Sequence, residues 1–128
     1  MKPKRILVID DEVVICDACR LVLNEIGHHA SHCNSGSDGL AAIQTGDYDI
    51  VLLDMKLVDI DGMDILLALR QEEKQPCVIV MTGYATMANA VQAMKLGAAD
   101  YLAKPFTDDE LISTIETACL KKTQGQLK

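Results

Sequence analysis

The sequence lacks the clusters of basic residues that proteins use to bind nucleic acids directly. It has 12 Lys and Arg residues against 19 Asp and Glu residues, which gives a net charge of -7. Neutralising a phosphate backbone requires clustered positive charge. The composition therefore argues against direct nucleic-acid binding, and any DNA binding would have to come from another domain.

The sequence also lacks a long apolar segment. No apolar run approaches the roughly 20 residues that a membrane span needs. The first residues, MKPKRILVIDDE, do not fit a signal peptide, because acidic residues interrupt the apolar stretch. We therefore expect a cytoplasmic location and no membrane partner. With 128 residues, 49% of them hydrophobic, the chain has the size of one domain with a substantial core.

A disulfide framework is not expected either. The five cysteines are odd in number and mostly lie among apolar residues, as small buried side chains do in reducing compartments. Cys16 and Cys19 form a C-x-x-C pair, which is also found at redox sites. The pair lies inside a predicted helix and not at a helix start, so we favour buried thiols over redox chemistry.

A second alternative is a soft-metal cluster at His28, His29, His32 and Cys33. The segment is predicted to be a loop that runs into a strand, and strand alternation sends neighbouring side chains to opposite faces. No other residues complete a set of four zinc ligands. We therefore favour a strand without a metal.

Runs rich in Ile, Val and Leu alternate along the chain with segments of helical period, which is typical of βαβ units around a parallel sheet. The predicted strands are residues 5–9, 29–32, 49–53, 77–81 and 100–103. The predicted helices are residues 12–26, 36–45, 63–73, 86–96 and 107–120. The pattern predicts one α/β domain over residues 1–121, with 122–128 as a polar tail or the start of a linker.

Acidic residues follow two of the predicted buried strands: Asp10 and Asp11 after the first, Asp54 after the third. Ligands of open parallel sheets bind beyond the carboxyl ends of the strands. Crowded carboxylates repel one another unless a cation joins them, and oxygen ligands suit a hard ion such as Mg²⁺. The alternative, an acidic N-cap of the first helix, accounts for one acid but not for Asp54.

Asp54 is the best candidate nucleophile, since a carboxylate can attack phosphorus to give an aspartyl phosphate. Thr82 and Lys104 also lie at strand ends. The lysine can neutralise the transferring group and the hydroxyl can donate a hydrogen bond to it. Taken singly, Lys104 could be a surface lysine and Thr82 a turn or cap residue. Their shared position at strand ends favours the phosphoryl site.

The segments VIDDE, LLDMKLVDIDGMDIL, VIVMTGYAT and GAADYLAKPF resemble the motifs of receiver domains of bacterial two-component response regulators. The resemblance covers essentially residues 4–120. It implies a flavodoxin-like, doubly wound sheet of order 2-1-3-4-5 with five helices. It also implies that Asp54 accepts a phosphoryl group from a histidine kinase. Mg²⁺, or Mn²⁺ in its place, would be held by Asp11, Asp54 and the Lys56 backbone carbonyl, with Asp10 acting through water.

The resemblance further implies a switch and not an enzyme, beyond magnesium-dependent self-phosphorylation and autodephosphorylation. On phosphorylation, the Thr82 hydroxyl would move toward the phosphoryl group and Tyr101 would turn inward behind it. The face formed by the fourth helix, fifth strand and fifth helix would then change shape. The alternative for Tyr101 is a strand aromatic with its hydroxyl at the surface. A cis peptide bond is implied at Lys104-Pro105.

One residue departs from the family pattern, and two others are expected to affect the phosphoryl lifetime. Val58 replaces the usual proline, so the loop after the third strand is expected to be less rigid. The resemblance implies that side chains at the positions of Lys56 and Tyr84 control the access of water to the phosphoryl group, so we expect both to change its lifetime.

The partners implied are a sensor histidine kinase, an output domain or downstream protein, and a homodimer formed on phosphorylation. The fourth helix is unusually apolar, which indicates a contact surface; the alternative is a small, neutral face without a partner. Its apolar residues are Met87, Ala88, Ala90, Val91, Ala93, Met94 and Leu96. The segment from 81 to 106 also resembles receivers of sigma-54-dependent transcription activators, which implies a role in transcription regulation.

Three rival functions fit less well. A haloacid-dehalogenase-type phosphatase needs a second aspartate where this chain has Lys56. A flavin carrier needs a phosphate-binding loop after the first strand, where Asp10, Asp11 and Glu12 would repel a phosphate. A phosphorylation-independent interaction module of the same fold need not keep the acids, the hydroxyl and the lysine together.

Overall fold

The structure is a computed structural model that describes residues 2–83 and 87–126, with the side chains of all of these except 87 and 119–126. Strands and helices alternate. The strands are β1 (Arg5–Ile9), β2 (His29–Cys33), β3 (Ile50–Asp54), β4 (Cys77–Thr82) and β5 (Asp100–Ala103). The helices are α1 (Val13–Glu25), α2 (Gly36–Thr45), α3 (Gly62–Leu69), α4 (Met87–Lys95) and α5 (Asp108–Gln126).

All neighbouring strands are parallel, and the sheet order is β2-β1-β3-β4-β5. The doubly wound α/β fold and its strand order are therefore confirmed. The chain order reverses at β1, whose neighbours are β2 on one side and β3 on the other. This arrangement opens a crevice at the carboxyl ends of β1 and β3.

The three central strands are apolar because helices cover both of their faces. Alternate residues of β1 enter two different cores: Ile6 and Val8 pack on one face, Leu7 and Ile9 on the other. The first face is covered by α1 and α5, and the second by α2, α3 and α4. The edge strand β2 is partly exposed, in agreement with its less apolar sequence HASHC.

Local signals explain several helix ends. Ser35 caps α2 by accepting a hydrogen bond from the amide of Asp38, and Asp61 caps α3 by accepting one from the amide of Met63. After α1, Gly27 adopts a φ of 99°, a left-handed conformation that glycine enters without steric cost.

Two helix ends differ from prediction by more than one residue. α3 ends at Leu69 and not at residue 73, because the polar segment 70–74 offers no apolar face to pack. α5 continues to Gln126, six residues beyond its predicted end, so the boundary drawn at 121 falls inside this helix. Within the described ranges, no helix is long and apolar enough to cross a membrane.

Candidate functional site

Four strands deliver polar side chains to one edge of the sheet. Asp10 follows β1, while Asp54 and Thr82 are the last residues of β3 and β4. Lys104 follows β5, and its backbone amide donates to the Thr82 carbonyl at 2.9 Å. Ile9 pairs with Leu53 across the β1–β3 ladder, so the residues that follow them, Asp10 and Asp54, lie side by side. Parallel pairing thus gathers residues from distant parts of the sequence.

The three acids predicted to bind a metal form one cluster. Carboxylate oxygens of Asp10, Asp11 and Asp54 lie within 4.8 Å of one another. Asp10 is 0% exposed and Asp54 is 5% exposed, while Asp11 is partly exposed. An all-oxygen donor set of this kind fits Mg²⁺ or Mn²⁺ and does not favour softer metals. The Lys56 backbone carbonyl, two residues beyond Asp54, could supply a further oxygen.

Lys104 is the counter-ion of this cluster. Its Nζ lies 2.7 Å from Asp10 Oδ2, 3.4 Å from Asp54 Oδ2 and 3.6 Å from Glu12 Oε1. Its side chain is 13% exposed, so it is not a solvated surface lysine. Burial by itself would lower the pKa of Lys104, but the hydrogen bond to Asp10 and the negative charges around it raise that pKa. The ammonium therefore stays charged.

Asp54 is held in an environment that disfavours its charged form. Burial raises the pKa of its carboxyl to about 6. The nearby Asp10 carboxylate also raises this pKa, while the Lys56 amide and Lys104 lower it. The Lys56 amide donates to Asp54 Oδ1 at 3.2 Å. A cation bound at the cluster would offset the remaining cost of the charge.

Asp10 does not serve as the N-cap of α1. The N-cap residue is Glu12, which makes no side-chain capping bond. Asp10 Oδ1 instead accepts from the Glu12 amide at 2.9 Å, while Oδ2 contacts Lys104. An acid thus occupies the N-cap position, as the alternative expected, but it is Glu12, and capping does not account for Asp10.

Thr82 and Tyr101 lie on the wall of a cavity of about 420 Å³ between the sheet and α4. Lys56 also lines this cavity, and Thr82 is 3% exposed. The Tyr101 hydroxyl is buried and has no hydrogen-bond partner in the part of the chain that the structure describes. The alternative of a hydroxyl at the surface is thus wrong for this conformation. The Lys104-Pro105 peptide bond is cis, the geometry that the family resemblance implies. Tyr84 lies outside the described residues.

Three residues that support the site were missed in the sequence. Asn34 Nδ2 donates to the backbone carbonyl of Asp10 at 3.0 Å, and Cys16 Sγ approaches the same oxygen at 3.3 Å. The sequence could have indicated Asn34, because it directly follows β2 and so lies at the same edge of the sheet as the other site residues. Asp59 was also missed; no local pattern reveals its contacts, which cross to the first turn of α2.

The cysteine and histidine alternatives find no support. Cys16 and Cys19 are buried, and burial raises the pKa of their thiols to about 11 and about 12. Such thiols are poor nucleophiles. His28 accepts a hydrogen bond from the Lys4 amide, and His32 contacts Arg20. Among the described residues, the acids at 10, 11 and 54 are the only group of three with metal-ligand spacing.

Comparison with known proteins agrees with this site. Residues 6–116 match the response regulator receiver domain family. The probable transcriptional regulatory protein SilR of Salmonella typhimurium is 34% identical over 97% of this chain, which covers 56% of SilR. The transcriptional regulatory protein ZraR of Escherichia coli K12 is 34% identical over 88% of this chain, which covers 26% of ZraR. The chain thus spans about half, or less, of these relatives.

Solved structures give the same result. A CheY-like response regulator receiver domain protein from Methanospirillum hungatei superimposes with a TM-score of 0.88 at 29% identity, over 96% of this chain and 99% of that one. NtrX from Brucella abortus superimposes with a TM-score of 0.86 at 32% identity, over 99% of this chain and 30% of NtrX. The matched family, the shared fold and the strand-end residues agree, and the chain belongs to the response regulator receiver domain family.

Proposed function

We propose that Asp54 accepts a phosphoryl group from a phosphohistidine of a sensor histidine kinase, and that this phosphorylation switches the domain. One observation carries the proposal: the buried Asp54 carboxylate lies 3.4 Å from the partly buried Lys104 ammonium and within 4.8 Å of two further acids. Such a cluster is costly to keep in a folded protein without a cation or an electrophile to use it.

In the transfer, an Asp54 oxygen forms a bond to phosphorus while the phosphorus–nitrogen bond of the phosphohistidine breaks. The electron pair of that bond stays on the histidine nitrogen, which takes a proton. A divalent cation held by Asp10, Asp11, Asp54 and the Lys56 carbonyl would supply neutralising charge.

Lys104 and Thr82 complete the charge balance around the transferred group. Lys104 Nζ is already within 3.4 Å of Asp54 Oδ2, so a small movement places it on a phosphoryl oxygen. Thr82, the last residue of β4, can donate its hydroxyl to another oxygen. Preorganised donors of this kind favour the charge that develops during transfer.

The new charge would act on the neighbouring cavity. A phosphoryl group adds nearly two negative charges and three acceptors. Thr82 and Tyr101 share the cavity beside α4, so a shift of the Thr82 hydroxyl changes the packing available to the ring. On α4, Val91 and Met94 are 45% and 42% exposed. The face of α4, β5 and α5 is therefore the proposed output surface, for an output domain or for a homodimer formed on phosphorylation.

The remaining expectations belong to this proposal. The chain acts as a switch in transcription regulation and catalyses only its own phosphorylation and dephosphorylation, with Lys56 and Tyr84 setting the phosphoryl lifetime. It works in the cytoplasm, and DNA is bound by another domain. The length of ZraR and NtrX beyond the matched part supports an output domain in the whole protein. The sigma-54 subfamily stays a prediction.

The proposal is tested by incubating the chain with Mg²⁺ and a small acyl phosphate and measuring the intact mass. We expect the gain of one phosphoryl group, which Asp54→Asn and removal of Mg²⁺ abolish. Asp64→Asn is the matched control, since Asp64 is exposed on α3. No mass gain, or an equal gain in Asp54→Asn, would refute the proposal and favour the phosphorylation-independent module.

A further inference from the structure

The loop after β3 is a small closed unit. The Gly62 amide donates to the Met55 carbonyl at 3.1 Å, and Lys56 and Asp61 form an antiparallel bridge. A Cβ on Gly62 would lie 2.7 Å from Met55 Cα, so the closure requires glycine. The loop carries the Lys56 carbonyl proposed as a metal ligand, and its orientation therefore matters.

The tip of this loop is tied to another part of the protein by Asp59. Asp59 Oδ1 accepts from the Gly36 amide at 2.8 Å, and Oδ2 accepts from the Ser37 amide at 3.0 Å and from Ser37 Oγ at 2.9 Å. These two amides are the first of α2 and have no partner within the helix. The hydrogen bonds from Ser37 and Gly36 lower the pKa of Asp59 to about 2, so it remains a carboxylate.

The neighbouring residue Val58 does not hold the loop, since it is 90% exposed. Ile60 packs against the core beside Gly36, whereas Asp59 makes the hydrogen bonds that join the tip to the first amides of α2.

The segment that binds Asp59 also makes a hydrogen bond to the loop that carries Asp10 and Asp11. Asn34, two residues before Gly36, donates to the Asp10 carbonyl at 3.0 Å. Residues 34–37 thus contact the loop that carries Asp10 and Asp11 on one side, and the loop that follows Asp54 on the other.

We infer that Asp59 is a positioning residue for the metal site, which sets the Lys56 carbonyl relative to Asp10 and Asp11 by anchoring the loop after β3 to residues 36–37. The inference rests on the proposed metal-dependent phosphorylation. Replacing Asp59 changes none of the proposed metal ligands. It does free the loop that carries one of them, the Lys56 carbonyl, to move. Metal affinity should then fall without loss of the fold.

The test compares the wild-type chain with Asp59→Ala, Asp59→Asn and the control Asp64→Asn, which changes an exposed charge of the same sign in the adjacent helix. Mg²⁺ affinity is measured by calorimetric titration without a phosphodonor, at a temperature where circular dichroism shows every variant to be folded. Amide hydrogen exchange at residues 55–57 reports the loop directly.

We expect Asp59→Ala to weaken Mg²⁺ binding by about tenfold, the lower end of the effect of changing an outer contact of a metal site. Its loop amides should exchange faster. Asp59→Asn keeps one acceptor oxygen and should recover part of the affinity, while Asp64→Asn should match the wild type.

Unchanged Mg²⁺ affinity in Asp59→Ala would overturn the inference, and so would a loss as large in Asp64→Asn. In either case the proposed function stands if the wild type binds Mg²⁺ and gains a phosphoryl group. A wild type that binds no Mg²⁺ would overturn both.

Discussion

Lys104 Nζ lies 2.7 Å from Asp10 Oδ2, although the two residues are 94 positions apart in the sequence. The contact joins the ends of β1 and β5, which are separated in the sheet by β3 and β4. Lys104 also reaches Asp54, so one ammonium serves two buried carboxylates. The charge balance of the metal-free site thus depends on this lysine.

Replacing Lys104 by Met should destabilise the metal-free protein by about 3 kcal/mol, because two buried carboxylates lose their counter-ion. Mg²⁺ should recover much of this loss, since a cation can take the place of the ammonium. Urea denaturation with and without Mg²⁺ measures both effects. Lys74→Met is the control: this lysine is 91% exposed and pairs with Asp47 at 4.0 Å, so its loss should cost under about 1 kcal/mol. An equal loss in both variants would contradict the role of Lys104.

Asp54→Asn should stabilise the metal-free protein at neutral pH. Burial raises the pKa of Asp54 to about 6, so the folded state opposes its ionisation. Removing the charge should raise the free energy of unfolding by about 3 kcal/mol, since each unit of pKa difference corresponds to about 1.4 kcal/mol. The gain should shrink as the pH falls toward 4, because the wild-type carboxyl then becomes protonated in the folded state. Chemical denaturation of both proteins across this pH range is the measurement. An Asn variant less stable than the wild type would show that the ionised Asp54 does not destabilise the folded state.

Tyr101→Phe should stabilise the protein by about 1 kcal/mol, because the buried Tyr101 hydroxyl has no partner among the described residues. Thermal unfolding of the two proteins measures the change. Tyr48→Phe is the control, since the Tyr48 hydroxyl makes a long contact of 3.5 Å with the exposed Ser31 and should change little. A clear loss of stability in Tyr101→Phe would show that the hydroxyl has a partner in solution.

Acid should weaken the fold through His28. Its Nδ1 accepts from the Lys4 amide at 3.0 Å, so the ring must be neutral there, and burial lowers its pKa below the ordinary value of 6.5. The folded state then binds this proton less well than the unfolded state. The His28 contribution is complete above pH 6.5 and is lost as the pH falls through the lowered pKa.

Urea midpoints measured between about pH 7.5 and pH 5 test this prediction. His28→Gln should flatten the decline, whereas His29→Gln, at an exposed neighbour, should not. Parallel pH curves for the wild type and His28→Gln would rule the histidine out.

The sequence predicted β1, β3 and β4 well because a buried run of Ile, Val and Leu has no alternative in a sheet covered on both faces. Asp10, Asp54 and Thr82 were found for the same reason, since each lies at the end of such a run. Lys104 follows the less apolar strand β5, DYLA, and was found by its position at a strand end. Asp59 was not found, because its partners lie on another helix and only the packing of α2 beside the loop brings them close. The inward position of Tyr101 depends likewise on the cavity beside α4.

The position of β5 has a consequence for the lifetime of the assembled site. β5 is an edge strand that pairs with β4 alone, and the Lys104 amide extends that pairing by one bond to Thr82. Edge elements open more readily than central ones. When β5 detaches, the acids on β1 and β3 stay together but lose their ammonium. Brief opening of β5 should therefore stop the proposed phosphoryl transfer while most of the domain stays folded.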